Sequence, residues 1–432
     1  MIEIFVDEIS ERATYTFDFV LKDNGISYKF NNDFKTFENS TNIKFNYSER
    51  YFDNVVQLRP STLLFEESIR TYHLTKGTFE DEDCLSLDDI TDPFAAIFFV
   101  LSRMEEYGDI LFDEHERFPA KQSILYQFGW LQKMVCERWS KALIDYLNRH
   151  QLTEKSYKKR DSELIPTFDI DNAYAYQLKE GSRKILSVLK DNVKGNKARL
   201  AERKAVLSHA KKDPYDTYDS ILSIANQGFD VQLFWLLGDF GPFDKNIHFN
   251  NQGQKELIQT LAKNCSIGIH PSYKSNSKPG QLEIEINRLA TTIHQSITKS
   301  RQHYLKFRLP ATYKSLIAAN IQHDYTMGYA SEVGYRAGTS RPFKWFDLEK
   351  NCATELTIHP FAYMDGTLLE YKNFDIEEAK LIISSLFEEF SQFGGEFIFL
   401  WHNETIGDYG KWKGWSEVLE HTLQLRISGL AD

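Results

Sequence analysis

The sequence predicts an α/β protein whose C-terminal two-thirds forms a parallel sheet or barrel, preceded by a smaller α+β domain. Three observations lead there. From Leu164 onward, seven short apolar runs alternate with stretches of helical periodicity, and each ends in polar residues: LIPTFDID, VQLFWLLGDF, CSIGIHPSY, SRQHYLKF, NIQHDYTMGY, ELTIHPFAYMD and EFIFLWHNET. Strands that alternate with helices are joined by crossovers and lie parallel. Residues 1–150 lack this rhythm: IEIFVDE, YTFDFVL, ISYKF and IKFNYS read as strands of a small mixed sheet, with helical patterns after them. Between the two regions the polar segment NRHQLTEKSYKKRDSE, at 148–163, interrupts the apolar pattern and reads as a linker. The expected domains are therefore 1–150 and 164–432.

In the first domain, DPFAAIFFVLSRMEEYG reads as a helix with Asp92 as N-cap and Pro93 at its first position. A second helix is expected over ILYQFGWLQKMVCERWSKALIDYL, where apolar residues recur at three and four. In the second domain a basic insertion at about 177–215 separates the first two strand runs. It reads as one or two amphipathic helices, either a solvated face over the barrel or a contact for an anionic substrate such as a lipid or nucleotide sugar.

Composition narrows the function classes. A chain of 432 residues suits two domains, and 62 acidic residues against 51 basic ones argue against a nucleic-acid or anionic-membrane binder. Aromatic residues make up 14%, which an aromatic-rich core explains most simply, although carbohydrate sites also use aromatic faces. Cys84, Cys136, Cys265 and Cys352 stand far apart with no CxxC pair, which suits reduced core thiols. The N-terminus, MIEIFVDEIS, has no basic or apolar leader pattern, and no run approaches the ~20 apolar residues of a membrane span. A cytoplasmic location is the expectation. The sequence is silent on oligomeric state.

Polar residues at the ends of parallel strands are where barrel chemistry collects. Asp169 and Asp171, in TFDID, are two apart on a strand and share one face, so one can bind a cation while the other takes a proton from water. Either could instead cap the following helix. His270 closes CSIGIH, and His303 stands two residues after Arg301 in SRQHYL. Imidazole is a common ligand for zinc-like cations, and a neighbouring arginine favours the neutral form that ligation requires. Each histidine taken singly is more often a hydrogen-bonded structural residue. Two histidines and an aspartate from successive strand ends, however, make a three-ligand set with open positions. His402, pushed out at the end of FIFLWHNET, suits a proton donor to a leaving group; His359, in LTIHPF, is its rival.

The order TFDID, IGIHPSY, SRQHYL, DYTMGY with GYRAGTS, and FLWHN resembles the polysaccharide deacetylases of the NodB homology group, carbohydrate esterase family 4, over residues 164–430. It is most similar to an atypical bacterial branch with HPSY and RxHYL motifs and an extra N-terminal domain, which FFVLSRMEEYG and DEHERF also resemble. The resemblance implies a distorted (β/α)7 barrel and a divalent metal, zinc first, with cobalt, manganese or nickel as alternatives. It implies removal of an N- or O-acetyl group from a sugar or polysaccharide precursor. It also implies Asp169 as general base, Asp171 as metal ligand, His270 as the first histidine of the second motif, Arg301 as the arginine that orients the base, and His402 as general acid. Asp324 and Arg336 fall in the fourth-motif region.

Two departures matter. Ile170 separates aspartates that the family has adjacent, and Lys274 stands where the HxxxH motif has its second histidine. An ammonium cannot ligate a metal. His303, where the family has a proline, is taken as the replacement, so the expected ligands are Asp171, His270 and His303. Tyr273, Asp324, Arg336 and His359 are expected to bind substrate. Two other readings stay open: a decayed barrel that binds carbohydrate or serves assembly, which Lys274 favours, and another metal-dependent C–N hydrolase of deformylase or allantoinase type.

Overall fold

The structure, a computed structural model, describes residues 1–179 and 196–428. Strands β1 (Ile2–Phe5), β2 (Tyr28–Asn31), β3 (Ile43–Asn46) and β4 (Val56–Gln57) form a parallel sheet in the order β2-β1-β3-β4. Strands β5 (Leu74–Phe79), β6 (Glu82–Leu87) and β7 (Ile90–Thr91) form a separate antiparallel one. The single mixed sheet expected from sequence is thus two sheets. YTFDFVL, read as a strand, belongs to the helix Glu11–Val20, in which the Ser10 side chain accepts from the Ala13 amide and Ala13, Phe17 and Val20 form the buried face. That spacing of three and four is the signal that outweighed its aromatic, strand-like composition.

Asp92 and Pro93 open a helix as expected, but it ends at Leu101. Arg103 then turns into the left-handed region (φ 54), and a short 3-10 turn, Met104–Tyr107, follows. The second expected helix is also broken. Ile124–Gln127 forms one turn, Gly129 takes φ 73, and Val135–Arg149 resumes. Residues 150–161 carry no regular element.

The remaining strands are β8 (Ser162–Ile170), β9 (Gln232–Trp235), β10 (Ser266–Ile269), β11 (Lys299–Ser300), β12 (His323–Asp324), β13 (Phe343–Asp347), β14 (Cys352–Ile358), β15 (Phe361–Met364) and β16 (Gly395–His402). They make one curled nine-stranded sheet in the order β13-β14-β12-β11-β10-β9-β8-β16-β15, parallel throughout except at β13. Seven runs were expected. The additional strands arise because ELTIHPFAYMD splits at His359–Pro360 into β14, on β12, and β15, on β16, and because FKWFD adds an antiparallel edge. The curl brings the β15 edge round to the segment after β12, where the Phe361 amide donates to the Met327 carbonyl at 3.1 Å.

Alternation along these strands sorts the side chains. Ile165, Phe234, Ile398 and Leu400 pack together inside the curl with Phe361 and Met364, whereas Phe168, Ile170, Leu233, Trp235, Phe399 and Trp401 face the main core under the helices. Gly268 belongs to the inner face: a Cβ there would lie 2.7 Å from the Phe234 ring. Beyond this apolar plug, the same alternation carries Asp169, Asp171, His270 and His402 to the inner face at the strand ends.

Of the basic insertion, the helix Lys197–Leu207 is described; residues 180–195 lie outside the described residues. Cys84, Cys136 and Cys265 are buried free thiols, and Cys352 is a partly exposed one. Among the described residues no helix is long and apolar enough to cross a membrane.

The N-terminal segment shares the main apolar core with the curled sheet. Buried charge crosses the junction as well. Glu106 accepts from Arg336 through both carboxylate oxygens (3.0 and 2.6 Å) and from Arg103 Nε at 2.8 Å. Removing the acid would leave the buried Arg336 guanidinium without its counter-charge, whereas Arg103 keeps Glu105 at 2.6 Å; breaking such a buried pair typically costs about 3–5 kcal/mol. Glu106→Ala is therefore expected to lower the unfolding free energy from urea titration by that order, whereas a loss below about 1 kcal/mol would assign the junction's stability to apolar contact alone.

Candidate active site

Asp169 is the penultimate residue of β8, opposite His402 on β16 and Phe234 on β9. Asp171 follows directly after the strand. His270 comes immediately after β10, and His303 opens the turn His303–Leu305 that follows β11. Crossing from strand to strand, the curl converges these side chains. His270 Nε2 is 3.2 Å from Asp171 Oδ1, and His303 Nε2 is 3.3 Å from Asp171 Oδ2. One ligand atom from each of the three lies within 4.8 Å of the others, a spacing that could hold a metal ion.

The surroundings of the three residues suit a cation. His270 Nδ1 lies 2.6 Å from the Arg301 carbonyl oxygen, and His303 Nδ1 lies 3.0 Å from Asp244 Oδ1. A carbonyl or carboxylate at Nδ1 fixes that nitrogen as the N–H donor and turns the Nε2 lone pair to the opposite side, toward Asp171. Asp171 Oδ1 has no exposed surface and no hydrogen bond of good geometry. Two imidazole nitrogens and a carboxylate oxygen form a donor set suited to zinc and neighbouring divalent metals. Burial favours the neutral forms of Asp171 and His303, but their mutual attraction prevails. Asp171, beside His303 and His270, is held well below the usual carboxylate range, and His303, beside Asp171 and Asp244, is raised to about 9.

Two further groups flank the trio. Asp169, 2% exposed, has Oδ1 at 3.1 Å from Arg301 Nη1 and Oδ2 at 3.7 Å from His270 Nε2. Arg301 is itself fixed, since Nη1 donates to Thr167 Oγ1 at 2.7 Å and Nε to the Tyr325 carbonyl at 2.9 Å. His402 presents Nε2 4.0 Å from Asp171 Oδ2, while its Nδ1 faces Asp365 at 2.9 Å. Burial disfavours the imidazolium, yet Asp365, with Asp171 and Asp169 beyond it, raises the His402 pKa well above the ordinary value. The imidazolium form of His402 is thereby favoured. Asp169, Asp171, His270, His303, Asp365 and His402 line one pocket of about 420 Å³, within the usual range for small-molecule sites.

The structure brings Asp169, Asp171, His270, Arg301, His303 and His402 together and places four other expected site residues elsewhere. His359 lies near the opposite end of β16: its Nδ1 meets Glu396 at 2.7 Å, its Nε2 meets His323 at 2.9 Å, and its ring stacks on Tyr325. Glu396 precedes His402 by six strand residues, about 20 Å along the strand. Asp324 is fully buried, accepting from Ser300 and Thr326, and Arg336 is committed to Glu106; neither lines the pocket. Tyr273 stands beside the pocket, its ring stacked on Phe243. Lys274 is exposed on a 3-10 turn and also stays outside. Sequence reasoning missed Asp244 and Asp365. Asp365 is the polar residue closing the AYMD run, a signal of the same kind that singled out Asp171.

Among families, one described only as a family of unknown function, DUF7033, matches residues 2–152. No curated protein matches the chain. Among solved structures, a protein from Mycobacterium smegmatis named as a polysaccharide deacetylase is similar at 12% identity and a TM-score of 0.39, over 61% of this chain and 85% of that one. The family 4 carbohydrate esterase from Streptomyces lividans, solved with acetate, is similar at 9% identity and a TM-score of 0.29, over 62% and 90%. A polysaccharide deacetylase from Bacillus cereus is similar at 9% identity and a TM-score of 0.30, over 62% and 89%.

Two outcomes are expected from the geometry. His303→Ala should lose stoichiometric metal by elemental analysis, and Asp244→Ala, which releases the ring's Nδ1, should weaken binding about 10–100-fold. Because His303 keeps its proton up to about pH 9 without an ion, a cation must displace it. Apparent zinc affinity should therefore rise with pH below that value, about tenfold per unit for one displaced proton. Competition against a chromophoric chelator measures this, and an affinity independent of pH would contradict the displacement.

Proposed function

We propose that the protein is a metal-dependent hydrolase that removes an acetyl or other acyl group from a sugar or polysaccharide precursor, with the curled sheet serving as a (β/α)7-type barrel. The observation that carries this reading is the convergence, in one pocket, of an Asp–His–His trio with an arginine-held carboxylate on one flank and a carboxylate-held imidazolium on the other. Asp171, His270 and His303 are the residues that would hold the cation, zinc first, with cobalt, manganese or nickel as alternatives. Such an ion supplies Lewis acidity, polarising an acyl carbonyl and lowering the pKa of water.

The chain's own residues account for the rest. Asp169, fixed through Arg301, is placed to take a proton from the attacking water. Its carboxylate cannot swing away without breaking the 3.1 Å contact to Nη1. His402, protonated and oriented by Asp365, is placed to give a proton to the departing amine or alcohol. The acyl carbon gains the water oxygen, the C–N or C–O bond breaks, and the products are a carboxylic acid and a free amine or hydroxyl. Lys274 lies away from this chemistry, and His303 fills the position that its presence would otherwise leave short of a ligand.

Acetylated oligosaccharides are expected to release acetate with the zinc-loaded protein and to stop doing so with chelator. Asp169→Asn should lower turnover by about 10²–10⁴-fold while retaining the metal. Formate in place of acetate would move the reading to a deformylase. No acid released by a protein holding stoichiometric zinc would favour a binding protein.

A further inference from the structure

We propose that loop 109–119 of the N-terminal segment is a specificity element of the site, holding an aromatic platform on which a pyranose ring next to the acylated one stacks. This rests on reading the pocket as a carbohydrate site, and it gives the N-terminal segment a role in substrate selection.

The platform begins at the residue after His303. Tyr304 takes φ 61, ψ 11 and Leu305 takes φ 51. Two consecutive non-glycine residues in the left-handed region are unusual, and such strain is retained where the surroundings impose it. Here the surroundings come from the N-terminal segment. Arg117 Nη1 donates to the Tyr304 carbonyl at 3.1 Å, and its Nε is held by Asp113 at 2.7 Å. Two more contacts tie the loop to the same stretch: Glu116 meets Lys306 Nζ at 3.0 Å, and the Arg308 guanidinium lies 4.2 Å from the centre of the Phe112 ring.

Held this way, Tyr304 turns its ring outward beside the pocket. It is 38% exposed, Phe243 is 38% exposed and Tyr371 is 47% exposed, and all three line the pocket with Asp171 and His402. His115 of the same loop packs against the Tyr304 ring at 4.8 Å, and Arg117 Nη2 reaches the Tyr371 hydroxyl at 3.5 Å. Exposed apolar residues gathered on one rim mark a binding surface. Flat, partly exposed rings placed beside an acyl-transfer centre match the C–H face of a sugar ring, and the Tyr304 hydroxyl can meet its polar edge. Because Tyr304 adjoins His303, the distance from platform to chemistry is fixed by a single peptide bond.

The test is calorimetric titration of the protein and of Tyr304→Phe, Tyr304→Ala and Arg117→Ala with chitopentaose in its N-acetylated form, cellopentaose and xylopentaose, each beside its monosaccharide. At least one pentasaccharide should bind about tenfold tighter than its monosaccharide, and Tyr304→Phe should keep that gain. Tyr304→Ala and Arg117→Ala should bring the pentasaccharide back to the affinity of the monosaccharide measured on the same variant. Cooperative thermal unfolding checks that each variant is folded; should Arg117→Ala fail it, Tyr304→Ala decides alone. No chain-length gain with any of the three sugars, or a gain that survives Tyr304→Ala, overturns the platform. A gain lost in Tyr304→Ala, with no acid released by the unaltered protein, keeps the platform and removes the hydrolase reading instead.

Discussion

Asp171 sits at the end of a strand with one oxygen sealed from water, and a carboxylate in that position needs positive charge or a cation close by. Two histidines provide it, each delivered by a different strand end and each turned by a partner at Nδ1. Arg301 serves both sides of this arrangement. Its side chain anchors Asp169, and its carbonyl orients His270. A displacement of the short strand β11 would therefore move the base, one imidazole and, two residues on, the other imidazole together. That coupling explains why a two-residue strand can carry so much of the site, and why Arg301 is buried against the Phe234 ring at 4.6 Å.

The alternation of β8, β10 and β16 was readable because a period of two is a property of the local chain. It put Asp169 and Asp171 on one face without any knowledge of the partners, while position at the end of an apolar run singled out His270 and His402. The same reasoning failed for His359. A histidine closing an apolar run was taken to stand at the mouth, but Pro360 breaks that run, and its first half pairs outside β12 and sends the ring toward the start of β16. Asp365 closes AYMD as Asp171 closes TFDID, but nothing local paired it with His402. Asp244 lies beyond its strand, where no periodicity fixes direction, and only the curl of the sheet brings it behind His303. In the N-terminal segment, aromatic composition concealed a helix at Glu11–Val20, and the left-handed turns at Arg103 and Gly129 interrupted helices that apolar spacing alone would continue.

The N-terminal segment is part of the scaffold on which the site is built. Its buried arginine, Arg103, reaches the Arg336 carbonyl, Glu106 pairs with the Arg336 side chain, and Arg138 pairs with Glu389 on the long helix Ile376–Phe393. Buried ion pairs add little net stability, but breaking one leaves an uncompensated buried charge, which penalises any other way for the two surfaces to meet. The segment 325–336, which runs between the β12 strand and Arg336, also supplies the carbonyl that meets β15. Docking of the N-terminal helices and curling of the sheet are thereby linked through the same stretch of chain.

The account depends on a cation being held by one carboxylate and two imidazoles. Anomalous diffraction at the zinc edge, from crystals grown with zinc, tests this most directly. A single strong peak bonded to Asp171, His270 Nε2 and His303 Nε2 at about 2.0–2.2 Å is the expected result. A peak elsewhere, or these three side chains turned apart around water with zinc present in excess, would contradict it.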